Sequence, residues 1–188
     1  MTGNEHKKVI FSKGILKSAL IRKMKEKSLD RIGVTELCKE AGVNRSTFYA
    51  HYNTITDLVE EVESEFLDKI PVLDPELSDK ELIKKLSVYT SFVREHPDAF
   101  NILVDNGYIM PKYYRRWISE QSQFKDQDQE SGIIREQINL IATYTIAGIT
   151  QAYKRWLAEG EYLSSEDFAY FIIQTYRVTT QIKFKSNK

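Results

Sequence analysis

The sequence predicts an all-α protein of about nine helices. Three observations lead to that class. Apolar residues recur three and four positions apart, as in Ile15, Leu16, Ala19, Leu20 and Met24, which gathers them on one side of a helix. No segment alternates apolar and polar residues over the length of a strand. Start signals such as Ser78-x-x-Glu81, and stop signals such as His96-Pro97 and Asn106-Gly107, punctuate the chain at helix-like intervals.

The first helix is expected from about Lys8 to Lys27, with Ser28 to Ile32 as a loop behind it. Residues 33–52, GVTELCKEAGVNRSTFYAHY, then read as two short helices around a tight turn at Gly42. Leu37, Cys38 and Ala41 give the first of these a core-facing side. Gly42 supplies the backbone freedom that a sharp turn requires, and Asn44 can accept the first amide hydrogen bonds of the next helix. That helix directs Phe48 and Tyr52 inward and small polar or basic groups outward. The layout is a helix-turn-helix, whose second helix enters the DNA major groove. Arg45 begins it with a guanidinium that can donate twice to guanine, or else bind phosphate or stay solvated. Ser46 and Thr47 are hydroxyls short enough to reach a base edge or a phosphate. Thr35, in the first turn of the preceding helix, is a candidate phosphate ligand where helical amides converge.

Thr54-Ile55-Thr56-Asp57 has the form of a capping box and starts a fourth helix to about Ile70. Its interleaved carboxylates make it a link rather than a DNA contact. Pro71 and Pro75 mark the expected boundary between domains 1–70 and 71–188. Helices then follow through Leu82 to Val93, Phe100 to Val104, and Ile109 to about Phe124. The stretch Lys125 to Gly132 is polar and expected to be loose. A long helix runs from Ile133 to Leu157, stopped at Gly160, and a final one begins near Ser164. The last two helices suit a self-pairing four-helix bundle built from Ile149, Tyr153, Trp156, Phe171 and Tyr176, although the same residues also suit a monomer core.

Formal charge balances at zero, with 27 basic and 27 acidic residues, yet it is unevenly spread. Residues 1–53 carry eleven Lys and Arg against five Asp and Glu. The remainder carries sixteen against twenty-two. A basic head on an acidic body concentrates positive potential in one place, which favours a nucleic-acid partner there. No apolar run approaches the roughly 20 residues that cross a bilayer, so no membrane partner is expected. The N-terminus MTGNEHKKVIF has no signal-peptide core, and a cytoplasmic location is expected. The single cysteine, Cys38, excludes an intramolecular disulfide and reads as a small buried hydrophobe. There is no Gly-rich phosphate loop, HExxH, GxSxG or paired-cysteine motif, and His6, His51 and His96 lie far apart. Neither an enzyme nor a metal or cofactor site is expected.

Ile15-Leu16, Ala19-Leu20, Ala41-Gly42-Val43, Ser46-Thr47-Phe48-Tyr49, Tyr52 and Asp57-Leu58 occur in the order and spacing of the TetR family. About the first third of the chain strongly resembles these bacterial transcriptional regulators. Ala147-Gly148-Ile149 and Trp156-Leu157 with Gly160 resemble the family's C-terminal half more loosely. The resemblance implies a DNA-binding dimer on a palindromic operator, most often a repressor. It adds Tyr49 and His51 as a pair contacting the DNA backbone. It also implies a small-molecule inducer in the body, for which the aromatic cluster Tyr89, Phe92, Phe100, Tyr113 and Trp117 is the candidate pocket. An aromatic stripe also serves as plain core, which leaves open a regulator without a ligand, controlled by a protein partner. Two positions depart from the family pattern. Gly33 stands where a capping threonine is common, and Ile55 where a phosphate-binding lysine is common. Lys7, Lys8, Lys13 and Arg31 are candidates to compensate.

Overall fold

Nine α-helices and one 3-10 turn form the described part of the computed structural model, which covers residues 3–71, 73–74, 77–120, 132–159 and 162–180. No strand occurs among the described residues. The chain divides into two compact units, 1–66 and 67–188. The division falls inside a helix rather than at the prolines. The Arg116 guanidinium donates to the carbonyls of Leu67 and Ile70, which ties that last turn to the second unit.

In the first unit, α1 spans Gly3–Glu26 and a 3-10 turn spans Leu29–Arg31. Helices α2 (Val34–Ala41), α3 (Arg45–Tyr49) and α4 (Ile55–Lys69) follow. Helix α1 begins earlier than the apolar pattern predicted, because residues 5–8 are all exposed and leave no apolar signature. Leu16, Ala19, Leu20, Leu37, Phe48 and Leu58 meet in a core where each is at most 1% exposed. Thr54 caps α4 as predicted: the Asp57 amide donates to Thr54 Oγ1, and Asp57 accepts in return from the Asn53 and Thr54 amides.

In the second unit, α5 is Asp79–Glu95, α6 Pro97–Asp105, α7 Met110–Glu120, α8 Gly132–Glu159 and α9 Ser165–Thr180. Ser78 and Glu81 complete the predicted capping box of α5. Pro97 starts α6 at a position where its missing amide hydrogen costs nothing. Gly107 follows α6 at φ +73°, a conformation that glycine adopts without strain. Ser164 accepts from the Asp167 amide and caps α9. Helices α5 and α9 run antiparallel, because Asp79 at the start of α5 binds Gln174 and Arg177 near the end of α9. At the opposite end, Arg94 donates to the Leu163 carbonyl just before α9.

Tyr153 sits at the centre of the body, with ring centroids of Phe168, Phe100 and Tyr89 at 4.9, 5.6 and 5.8 Å. Trp156 stacks on Phe168 at 4.6 Å and donates to the Leu163 carbonyl. Tyr176 is fully buried and donates to the Leu73 carbonyl. Of the set that suits either a pairing face or a monomer core, Tyr153, Trp156 and Tyr176 are buried within this unit. Ile149 is half-buried, and Phe171 is 50% exposed. Residues 125–131 of the loop predicted to end at Gly132, the stop at Gly160, Pro75, and the side chain of Trp117 lie outside the described residues, and Gly132 itself begins α8.

Candidate nucleic-acid interface

The turn between α2 and α3 is built as the sequence requires. Gly42 adopts φ 68° and ψ 31°, its amide reaches the Lys39 carbonyl, and the Val43 amide reaches Cys38. That pair of bonds is a Schellman closure, which satisfies the carbonyls at the end of α2. Cys38 is buried beneath the turn, and burial pushes its thiol pKa up, so it stays a neutral packing group.

Helix α3 presents its residues in two directions. Phe48 is fully buried and meets Tyr49 edge-on at 5.4 Å and Tyr52 at 5.7 Å. Asn44, Arg45, Ser46 and Tyr49 are exposed, and Thr47 is half-buried. The Arg45 guanidinium lies 5.8 Å from the Tyr49 ring centroid, a cation–π contact that leaves its donors able to turn outward. Asn44 occupies the cap position of α3, but its side chain makes no capping bond, which corrects the expected cap. Thr35 is exposed in the first turn of α2, and Gly33 gives that turn no side-chain cap.

His51 is half-buried, and its Nε2 lies 2.7 Å from Ser12 Oγ. Ser12 Oγ also lies 2.9 Å from the Lys8 carbonyl, so the start of α1 is held beside the end of α3. One imidazole nitrogen is therefore engaged within the protein, and Nδ1 remains for an outside contact. Sequence reasoning missed this link because the two residues are 39 positions apart.

The basic excess of the head is thinned by internal pairing. Arg22 binds Glu40, and Lys27 binds Glu36. Lys23 reaches Glu26, Glu36 and Glu40. Lys13 and Lys17 both bind Glu61, at 2.7 and 2.6 Å, and Lys13 also lies over the Tyr52 ring. Lys13 is thus committed to the α1–α4 contact rather than placed to replace a missing phosphate contact. Lys7, Lys8, Arg31, Lys39 and Arg45 are exposed and form no ion pair among the described residues. Ile55 is half-buried at the start of α4 and brings no charge there.

Glu61 couples this network to pH. Partial burial pushes its carboxyl up, but hydrogen bonds from Lys13 and Lys17 outweigh that and hold it at about 2. The unfolded carboxyl titrates near about 4.3. Because the folded pKa is the lower one, the network's stabilisation is complete above about pH 4.5 and is lost as pH falls towards 2. The stability difference between the wild type and Glu61→Gln is therefore expected to shrink on acidification through that window. Urea unfolding of both proteins at pH 6, 4 and 2.5 measures it, and a constant difference would contradict the charge-pair account.

Residues 15–62 match the family model described as bacterial regulatory proteins, tetR family. The head is of the TetR family. Two solved structures resemble the chain over most of its length. A TetR-family transcriptional regulator from Streptomyces coelicolor superposes with a TM-score of 0.57 at 14% identity, covering 89% of this chain and 81% of that one. A TetR-like regulator from Rhodococcus sp. RHA1 gives 0.58 at 16% identity, covering 91% and 97%. No curated protein sequence matches the chain significantly. The chain thus shares the fold of these regulators, and its N-terminal helix-turn-helix is the part that matches the family model. Among its described residues no helix is long and apolar enough to cross a membrane, and no group of three or more His, Cys, Asp or Glu could hold a metal ion.

Within the body, a cavity of about 50 Å³ is lined by Tyr89, Phe100 and Tyr113 of the predicted aromatic cluster, together with Ile149 and Tyr153. Phe92 lies elsewhere, edge-on to His96 at 4.6 Å and beneath the Lys69 ammonium at 4.8 Å. Separately, an outer groove on α8 and α9 is lined by Tyr144, Ala147, Gly148 and Phe171. Leu140, Tyr170 and Val178, on the same two helices, are also more than half exposed.

Proposed function

We propose that the protein is a cytoplasmic, dimeric transcriptional repressor that binds a palindromic duplex through α3 and leaves it when a small molecule occupies the body. The observation that carries the DNA reading is the two-sided α3. Its buried Phe48 fixes the helix on the head, while Arg45, Ser46 and Tyr49 face outward on a surface rich in uncommitted cations. Arg45 supplies base readout, and Ser46, Thr47, Asn44 and Tyr49 supply base and phosphate contacts. Thr35 and His51 Nδ1 add contacts to the phosphate backbone.

Self-association is supported by the outer face of α8 and α9. Exposed Leu140, Tyr144, Phe171 and Val178 form more apolar surface than a monomeric helix pair needs, and Gly148 permits close approach. A two-fold axis through this face pairs two heads, which reads two half-sites about one helical turn apart. An effector acts by binding the unbound spacing of the heads more tightly than the DNA-bound one. The cavity beside Tyr89 favours this over control by a protein partner.

Selection from random duplexes by the purified protein tests the reading. The expected result is enrichment of a palindrome with half-sites centred about 10 base pairs apart or a multiple of that. Binding should weaken steeply between about 50 and 200 mM salt. Recovery of no preferred sequence would sink it.

A further inference from the structure

We propose that the body's cavity takes a small uncharged molecule carrying one hydrogen-bonding oxygen, and that the Thr145 hydroxyl is the group that receives it. The inference rests on the effector reading above and supplies the chemistry of the effector. It stands on three features of the cavity: its charge, its size and one hydroxyl.

None of the described lining residues is charged. An ionised ligand would lose its hydration with no counter-charge to replace it, which strongly disfavours ions. The volume is about 50 Å³, and one water needs about 10–15 Å³ measured in this way, so the space suits a molecule of a few heavy atoms. Met110 lines it too and is flexible enough to admit a five-membered ring.

The hydroxyls along this wall differ. Tyr153 pairs with Thr90 at 2.8 Å, and Tyr176 donates to the Leu73 carbonyl at 2.6 Å. Thr150 donates to the Ile146 carbonyl at 2.7 Å, the usual back-bond of a helical threonine. Thr145, on the same helix and lining the same cavity, is 6% exposed, and its Oγ1 is buried with no hydrogen-bond partner among the described residues. A buried hydroxyl without a partner is disfavoured unless something brings one. A ligand oxygen within the cavity would do so.

Four probes of similar size test this on the full chain by ligand-observed NMR titration: cyclopentanone, its hydrocarbon isostere methylenecyclopentane, pyrrolidinium and propionate. Wild-type protein is expected to bind the two neutral rings and neither ion. Thr145→Val is expected to weaken cyclopentanone about tenfold, the worth of one hydrogen bond, and to leave methylenecyclopentane within about twofold. Thr145→Ser keeps the hydroxyl and should keep ketone binding. Without ligand, Thr145→Val should melt no lower than wild type, because it removes an unpartnered polar group. Ion binding as tight as ketone binding, equal effects of Thr145→Val on both rings, or no binding by any probe would each overturn the proposal. DNA affinity measured in the same samples separates the two readings. Ketone binding through Thr145 without any change in DNA affinity would refute the effector role and leave the cavity's chemistry standing.

Discussion

Arg45→Ala is expected to lower affinity for the selected duplex by roughly 5- to 150-fold, the 1–3 kcal/mol typical of a lost bidentate base contact. Affinity for unrelated duplexes should fall far less, by only a few-fold. The asymmetry follows from geometry. Arg45 is exposed at the first position of α3, with its guanidinium over the Tyr49 ring, so removing it takes nothing from the core. Non-specific affinity depends on the summed charge of Lys7, Lys8, Arg31, Lys39 and Arg45, of which this substitution removes one part in five. Fluorescence anisotropy on the selected and a scrambled duplex, across a salt series, reads both quantities. Arg45→Lys is the informative companion. It keeps the charge and loses the planar fork, so it should restore the salt slope without restoring sequence preference. Equal losses on both duplexes would mean that Arg45 binds phosphate, and base readout would pass to Ser46, Thr47 and Tyr49.

The head was legible in the sequence because its determinants are local. Gly42, Phe48 and the Thr54–Asp57 box each act within a few residues, and the backbone closes around them as local rules require. What the sequence left hidden depends on residues far apart along the chain. Nothing in the charge pattern separates Lys13, bound to Glu61, from Lys7, which is exposed; the difference arises only when α1 lies against α4. His51 and Ser12 meet in the same way. The C-terminal helices show a second limit. Tyr153, Trp156 and Tyr176 share the helical period expected of a pairing face, but a monomer core imposes that same period on the inward side. Phe171 of that set is half exposed, whereas Tyr144 and Val178, left outside at 72% and 69% exposure, did not enter it. Thr145 belongs to the apolar run of α8, and its missing hydrogen bond is a property of packing that no spacing rule encodes.

Phe48→Ala separates folding from recognition and has the largest expected effect on stability. Phe48 is fully buried where α3 turns its inner side to the head core. Truncating such a phenylalanine costs about 3–5 kcal/mol through lost transfer energy and the cavity left behind. A unit of 66 residues has roughly 3–10 kcal/mol of stability to lose. The substitution should therefore remove roughly a third or more of that stability, and all of it at the lower end of the range. Specific DNA binding is then lost with the fold rather than at the interface, where Arg45→Ala weakens it with the head intact. Phe48→Leu preserves most of the volume and should retain a folded head with measurable binding. Amide hydrogen exchange distinguishes these outcomes. In Phe48→Ala, residues 15–62 should lose protection while the amides of α5 and α9 keep theirs; in Arg45→Ala, both sets should stay protected. A Phe48→Ala protein with a fully protected head and no DNA binding would place Phe48 at the interface itself, contrary to its burial beneath α3.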